Sequence, residues 1–148
     1  MILNTLIQLF NRDLTRLKSE IEAYKTEKSI WNTDKQITNS AGNLCLHIVG
    51  NLNTYIGATL GNTGYKRQRD LEFSLKNIPK QDLILKLEET IQIVNTSLEL
   101  LSEEQLLEDF PIVVFKEKTT TEFMLIHLTT HLAYHLGQIN YHRRLLDS

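Results

Sequence analysis

The length, composition and charge of the chain limit the kinds of protein it can be. Its 148 residues suffice for one domain with a substantial hydrophobic core, so we expect a single domain over residues 1–148. The 16 basic and 18 acidic side chains give a formal net charge of −2, and we therefore expect neither nucleic acid nor an anionic membrane as a partner. A hydrophobic fraction of 41% with only two prolines argues against a disordered chain.

Cysteine usage and hydropathy indicate the compartment. The single cysteine, Cys45, excludes an internal disulfide framework and is typical of a reducing environment. No apolar run approaches the roughly 18 residues that a membrane-spanning helix requires. The apolar start, MILNTLIQLF, lacks the basic region and the cleavage site of a signal peptide. We therefore predict a cytoplasmic protein without a membrane partner.

Four stretches of the chain have the apolar spacing of amphipathic helices. They are Ile2–Tyr24, Ser40–Gly61, Pro79–Leu101 and Thr119–Leu146. Four such helices with one apolar stripe each predict an all-α fold, a four-helix bundle. The long connection between the second and third helices permits a topology other than up-down-up-down.

Several residues at the helix ends are typical of caps. Ser40 is a predicted N-cap and Gly61 a predicted residue just after a helix end. Thr119 and Glu122 have capping-box spacing, which places the start of the last helix at Thr119. The preceding run, FPIVVFKEK, is the only β-like stretch, and we expect it to lie extended along the helices.

The connections contain three side chains that could belong to a pocket. Trp31 is a large apolar residue in a polar loop, and it either covers one end of the core or lines a pocket. Arg67 and Arg69 either pair with the nearby acidic residues Asp70 and Glu72 or face an anionic ligand, because a guanidinium can bind a carboxylate through two hydrogen bonds.

The last predicted helix carries four of the five histidines. His127, His131 and His135 follow one another at steps of four residues, which drift by only ~40° each around an ideal helix. Gln138 and His142 fall on the same arc. Because residues four apart are neighbours on a helix surface, His131 and His135 can offer two imidazole nitrogens to one divalent metal ion.

The fifth histidine, His47, lies in the second predicted helix and could supply a third ligand from a facing helix. It shares a line with Asn51 and Tyr55, which are either pocket residues or cross-core hydrogen-bonding residues. A histidine pair four residues apart is a weak signal by itself, since buried histidines often only satisfy hydrogen bonds. Three in phase beside a leucine stripe are more specific, because unsatisfied imidazoles would destabilise a core.

Two segments together resemble a known family. They are LHIVGNLNTYIGATLGNTGYKRQRDLEF and LIHLTTHLAYHLGQINYHRRLL. The chain resembles the DinB/YfiT-like superfamily of metalloenzymes over essentially its whole length, and within it the DUF1572 group. The resemblance implies a four-helix bundle with up-down-down-up topology, often as a homodimer.

The resemblance also implies a metal site with one histidine from the second helix and an HxxxH pair from the fourth. Position by position, these are His47, His131 and His135, with Zn²⁺ or Ni²⁺ as the metal. His127 and His142 lie outside this triad and are pocket or structural residues. The pocket candidates are Asn51, Tyr55, Trp31, Arg67, Arg69, His127 and Gln138.

Relatives in that superfamily include transferases and isomerases that use low-molecular-weight thiols such as bacillithiol or mycothiol. The first hypothesis is therefore a metal-dependent thiol S-transferase acting on a small thiol and an electrophilic substrate. The same open site could activate water, which would make the protein a hydrolase. A third hypothesis is a non-catalytic, dimeric metal-binding protein of stress-related or other role. A fourth is a bundle without metal, whose histidines satisfy one another.

Overall fold

The computed structural model describes residues 1–148 and is all-helical, as predicted. The helices are α1 (Ile2–Ala23), α2 (Ala41–Leu52), α3 (Thr59–Gly61), α4 (Arg69–Ser74), α5 (Lys80–Glu99) and α6 (Thr121–Leu146). A π-helix, Asn53–Ala58, joins α2 to α3 without a break, and two 3₁₀-helices occupy Glu27–Trp31 and Glu104–Leu107. None of the helices combines the length and the apolar character that crossing a membrane would require.

The predicted helix ends agree with the structure to within a few residues, and two caps differ. The side chain of Ser40 accepts a hydrogen bond from the Asn43 amide, as predicted. The cap of α6 is Thr120, whose side chain accepts from the Phe123 amide, so the prediction of Thr119 was wrong by one residue. The prediction that Gly61 follows the helix end was also wrong. The left-handed residue is Asn62, with φ of 54°, and asparagine tolerates that conformation.

The connection between the second and third predicted helices contains the short helix α4, which was not predicted. The β-like run before α6 forms no β-strand. Its two ends are joined by an isolated β-bridge, in which the Phe110 amide donates to the Thr119 carbonyl at 2.8 Å. Ile112 and Val113 in this run are exposed, whereas Val114 is partly buried against the core.

The core lies between four helical segments, namely α1, α2 with its continuation to Gly61, α5 and α6. Most of the apolar stripe of α1 is buried, including Phe10, Leu14, Leu17 and Ile21. Trp31 is also buried, and its ring lies where a Cβ on Gly42 would come within 2.5 Å of it. Trp31 therefore packs closely against the first turn of α2.

Polar contacts show the directions of the helices. Asn11 on α1 donates to Asn95 on α5 at 2.6 Å, and Lys18 pairs with Glu88 one to two turns further along, so α1 and α5 are antiparallel.

The remaining directions follow from the ends of α6 and α2. Glu20, near the end of α1, accepts from Arg143 near the end of α6, so these two helices run the same way. Asn53 donates to Thr90 at 3.0 Å, and Gly61 lies against Ser97, so α2 runs parallel to α5. Because α1 and α5 are antiparallel, α2 and α6 therefore run in opposite directions.

Candidate metal centre

The structure brings together three histidines from two helices. His131 and His135 lie one turn apart on α6, and His47 lies on α2, which packs against α6. The ligand atoms of all three lie within 4.8 Å of one another, so the group could hold a metal ion. His47 is buried, whereas His131 and His135 are half-buried.

The spacing of the ring nitrogens fits a metal ion. The Nε2 atom of His131 lies 3.2 Å from the Nε2 atom of His47 and 3.2 Å from that of His135. Nitrogens bound to zinc at 2.0–2.1 Å in a tetrahedral arrangement are separated by about 3.3–3.4 Å. Each of the two 3.2 Å separations is therefore close to the edge length of such a tetrahedron.

The partners of the other ring nitrogens indicate which tautomers are present. His47 Nδ1 lies 3.0 Å from a carboxylate oxygen of Glu72, so that nitrogen carries the hydrogen and donates. His135 Nδ1 lies 2.7 Å from the side-chain oxygen of Gln138, so it also donates. In the neutral rings, both Nε2 atoms therefore present lone pairs towards His131.

Hydrogen bonding alone cannot satisfy this arrangement. His131 Nε2 can carry at most one hydrogen and donate it to one of the two neighbouring lone pairs. The other lone pair faces a nitrogen with nothing to give. A divalent cation accepts all three lone pairs at once, so the donor set fits a metal ion better than a network of hydrogen bonds.

Burial keeps the His47 and His131 imidazoles neutral, which is the form that can bind a metal ion. Burial, reinforced by the neighbouring histidines, lowers the pKa of His131 to about 4. Burial also lowers the pKa of His47, although its hydrogen bond to Glu72 acts in the opposite direction. Both rings are therefore neutral at neutral pH, which is the protonation state that binds metal.

The sequence reasoning missed the role of Glu72. This residue lies on α4, is 6% exposed, and accepts two hydrogen bonds from Arg67 at 2.9 and 3.0 Å while it binds His47. A carboxylate behind a metal-binding histidine fixes the ring orientation and raises its basicity. Glu72 reaches this position because Gly50 has no side chain, since a Cβ there would lie 1.8 Å from its Oε2 atom.

One signal in the sequence could have indicated this role. The predicted pairing of Arg67 with a nearby acidic residue is formed with Glu72, and a paired carboxylate in this connection was the available signal. The short helix that positions it was not predicted, and 25 residues separate it from His47.

The predicted pocket residues on α2 and in the following loop fall into different environments. Arg67 pairs with Glu72, and its guanidinium carbon lies 5.9 Å from the centre of the Tyr55 ring. Arg69 is exposed at the start of α4. Asn51 is buried one turn after His47, and its side-chain oxygen has no hydrogen-bond partner. That oxygen is an acceptor that a ligand or water molecule could use.

The remaining predicted residues are also distinguished by position. Gln138 orients His135, as described above. The His127 ring lies 6.3 Å from that of His131 and 4.9 Å from that of Phe115, so it borders the site without joining the ligand group. Trp31 lies in the core beside α2.

His142 has a structural environment. Its Nε2 atom donates to the Asn32 carbonyl at 2.8 Å, and its Nδ1 atom accepts from the Tyr24 hydroxyl at 2.6 Å. Both ring nitrogens are thereby satisfied, and the residue ties α6 to the end of α1.

Fold and site together define an all-helical protein with a three-histidine group that could hold a metal ion. The chain belongs to the family described as Protein of unknown function (DUF1572), whose sequence profile matches residues 2–148. A comparison with curated proteins finds no match.

A solved structure shows the same fold. It is the crystal structure of a conserved protein from Enterococcus faecalis, which is 17% identical in sequence and superposes with a TM-score of 0.77. The alignment covers 97% of this chain and 95% of the other. At this identity the likeness concerns the fold alone.

Proposed function

We propose that the protein is a divalent-metal-dependent enzyme, and that its reaction is the transfer of a low-molecular-weight thiol to an electrophilic substrate. The observation that carries the proposal is the convergence of the ligand nitrogens of His47, His131 and His135, two pairs of which are 3.2 Å apart. Three protein ligands would leave a bound zinc ion an open position for a substrate, which is typical of catalytic rather than structural sites.

The residues around the ligands have supporting roles in this proposal. Glu72 holds the hydrogen of His47 on Nδ1 and so directs its Nε2 lone pair into the site. Arg67 balances the charge of Glu72 and prevents it from turning towards the metal as a fourth ligand. Gln138 fixes His135 in the same way as Glu72 fixes His47, but without adding charge.

The chemistry is that of an activated thiol. A Zn²⁺ or Ni²⁺ ion held by the three histidines would lower the pKa of a thiol bound to it, and imidazole ligands suit either ion. In the transfer, the sulfur forms a bond to an electrophilic carbon, the leaving group departs with the bonding electrons, and the thiol proton goes to solvent. The same open position could activate water instead, and a hydrolase is the alternative within this proposal.

The first test is metal content. Untagged protein, incubated with Zn²⁺ or Ni²⁺ and desalted, should contain about one ion per chain by elemental analysis. His47→Ala and His131→Ala should each lose it, whereas His127→Ala, which removes a neighbouring histidine outside the triad, should retain it. Retention of the ion by His47→Ala would show that the two helices do not share a site.

The second test is turnover. The metal-loaded protein should accelerate consumption of bacillithiol by monobromobimane, and removal of the ion with a chelator should abolish the acceleration. Addition of Zn²⁺ back to the chelated protein should restore it. Acceleration that persists after metal removal would disprove the metal-dependent mechanism.

A non-catalytic metal-binding protein is the second candidate, and two residues favour it. Cys45 is fully buried, and burial raises the pKa of its thiol to about 12, so it is a poor nucleophile. The carboxylate of Glu72 is held by Arg67 and His47, so it is not free to act as a general base. One ion per chain without turnover for any tested thiol or ester would favour this candidate.

We also infer that the fold is a four-helix bundle of the DinB/YfiT-like superfamily with up-down-down-up topology. The directions of the four long helical segments support this inference, since α1 and α6 run one way and α2 and α5 the other. A solved structure with bound metal would test it through the helix order and the ligand set together.

The quaternary structure is a further proposal, namely a homodimer in the cytoplasm. Five large apolar side chains are exposed in and next to the loop before α6. They are Ile112, Val113, Phe115, Phe123 and Ile126. The centroids of the Phe115 and Phe123 rings lie 6.1 Å apart there. An exposed apolar patch of this kind often marks an interface.

Light scattering tests the dimer. The wild type should have twice the mass of one chain, and Phe123→Glu should reduce it to a monomer. Leu85→Glu, on the exposed side of α5, is the control that should remain dimeric. A monomeric wild type would contradict the proposal.

A further inference from the structure

A cavity of about 320 Å³ lies beside the metal centre, on the side of the last turns of α6. One wall is the loop of residues 36–39, and the other is formed by α6. Leu44, in the first turn of α2, also lines the cavity. His135 belongs both to this wall and to the metal-binding group, so the cavity adjoins the site.

The walls of the cavity combine polar and apolar side chains, and apart from the imidazoles of His135 and His142 they include no Asp, Glu, Lys or Arg. The polar groups include the amides of Gln36, Asn39 and Gln138, and the hydroxyls of Thr38 and Tyr141. Such groups donate and accept hydrogen bonds without favouring either sign of charge.

The apolar part of the lining consists of Ile37, Leu44 and Leu145. His142 also lines the cavity, and its two ring nitrogens are already hydrogen-bonded to Tyr24 and Asn32. It therefore offers the cavity a neutral ring rather than a cation.

Gln138 connects the cavity to the metal centre. Its side-chain oxygen accepts the hydrogen of His135 Nδ1, which leaves its amide hydrogens free to donate. A carbonyl group of a ligand in the cavity can accept from this amide while the oxygen keeps His135 in place. A ligand there is thus in contact with the residue that orients a metal ligand.

We propose that this cavity binds the body of the substrate, and that this body is an uncharged small molecule with an amide or hydroxyl group next to a short apolar segment. As the substrate site of the metal centre, the assignment rests on the proposed function. The absence of Asp, Glu, Lys and Arg from the walls disfavours a charged substrate body, because such a body would lose hydration without gaining a side chain of opposite charge.

The first experiment examines the cavity without a thiol. N-butylacetamide, a neutral amide with a four-carbon chain, is titrated into ¹⁵N-labelled protein as purified, and the cation n-pentylammonium serves as a charged comparison of similar length. We expect the amide to shift the NMR signals of residues 36–39 and of the last turns of α6. It should bind about tenfold more tightly than the cation.

A matched pair of variants locates the binding. Leu145→Trp places a large ring in the cavity wall, whereas Leu85→Trp makes the same change on α5, and the two leucines are 64% and 53% exposed. Leu145→Trp should weaken the binding of N-butylacetamide about tenfold, and Leu85→Trp should leave it unchanged. Equal binding by both variants, or shifts confined to other parts of the chain, would overturn the assignment.

The second experiment joins the cavity to the metal. Zinc-loaded protein is titrated with N-acetylcysteamine and with 4-mercaptobutyrate, which present the same thiol on a neutral and on an anionic body. The neutral thiol should bind about tenfold more tightly, and Leu145→Trp should remove this preference. A preference for the anionic thiol would overturn the proposal. Failure to bind zinc would remove the proposed function, and the result with N-butylacetamide would still decide the cavity.

Discussion

At the scale of single residues, Glu72 determines how His47 is presented to the site. It accepts one imidazole hydrogen and is itself held by two of the three nitrogens of the Arg67 guanidinium, Nε and Nη2. We expect Glu72→Gln to weaken Zn²⁺ binding by roughly 10–100-fold, because the substitution removes the charge that raises the basicity of His47 and leaves Arg67 unpaired. Competition with a chromophoric chelator measures this affinity.

The control for that substitution is Glu88→Gln. Glu88 pairs with Lys18 on the surface between α1 and α5, far along the chain from the histidines. Its loss should leave the zinc affinity unchanged. If both variants bound zinc as tightly as the wild type, Glu72 would have only a packing role.

Gly50 is the second residue on which the site depends, because it makes room for the Glu72 carboxylate. A Cβ at this position would lie 1.8 Å from one carboxylate oxygen and 2.6 Å from the carboxyl carbon. Gly50→Ala should therefore displace Glu72, weaken zinc binding and lower the free energy of unfolding by about 1–3 kcal/mol. Urea denaturation and the zinc titration measure the two effects.

The comparison for Gly50→Ala is Gly137→Ala. Gly137 also lies within a helix, but a Cβ there has no atom within 4 Å. Alanine should raise the free energy of unfolding by up to about 1 kcal/mol, since it lowers the entropy of the unfolded chain without a clash. A stabilising effect at both positions would mean that Glu72 can move away at no cost.

At the scale of secondary-structure elements, the short helix α4 packs against α2 and brings Glu72 to His47. Its position depends on Asn43, whose side-chain amide donates to the carbonyls of Glu72 and Leu75, each at 2.9 Å. Asn43 is buried one turn before His47. The helix α2 therefore carries both a candidate metal ligand, His47, and the residue that anchors α4, which orients that ligand through Glu72.

We expect Asn43→Ala to release α4 and to weaken zinc binding. The two lost hydrogen bonds should lower the free energy of unfolding by about 1–3 kcal/mol, because the carbonyls of α4 lose their partner. Asn11→Ala breaks a comparable polar contact between α1 and α5 and should cost similar stability without changing the zinc affinity. Equal zinc affinities in the two variants would show that α4 does not depend on Asn43.

At the scale of the whole molecule, buried neutral histidines make stability depend on pH. The pKa values of His47, His131 and His142 are lowered in the fold, chiefly by burial, and that of His131 falls to about 4. An unfolded histidine titrates near ~6.5, so between about pH 6.5 and about pH 4 the unfolded chain binds more protons than the folded one. The stabilisation that comes from these neutral histidines should therefore be complete above about pH 6.5, and the free energy of unfolding should fall as the pH decreases below it.

Denaturation of metal-free protein at about pH 7.5 and about pH 5.5 tests this prediction in a range where most carboxylates stay ionised. The wild type should be less stable at the lower pH, and His131→Asn should show a smaller difference. A wild type that is equally or more stable at the lower pH would contradict the assignment of neutral buried histidines. Bound zinc should steepen the dependence, because the ion competes with protons for the same nitrogens.

The chain's own sequence determined the helices and two-thirds of the ligand group. Helical periodicity depends only on neighbours a few residues apart, so the apolar stripes predicted α1, α2, α5 and α6 with errors of a few residues. The same local rule placed His131 and His135 on one face of α6, since their separation of four residues fixes their distance. Where the local signal was ambiguous, as with two adjacent threonines before α6, the predicted cap was off by one residue.

What only the tertiary structure decided is how distant segments meet. The histidine pattern and the family resemblance both named His47 as a third ligand, but its contact with His131 depends on the packing of α2 against α6. The position of Glu72 depends on a short helix with a weak periodic signal, on a missing side chain at Gly50 and on hydrogen bonds from Asn43. Such contacts link residues 22 to 84 positions apart, and no local propensity encodes that pairing, because it follows from burying all the apolar stripes at once.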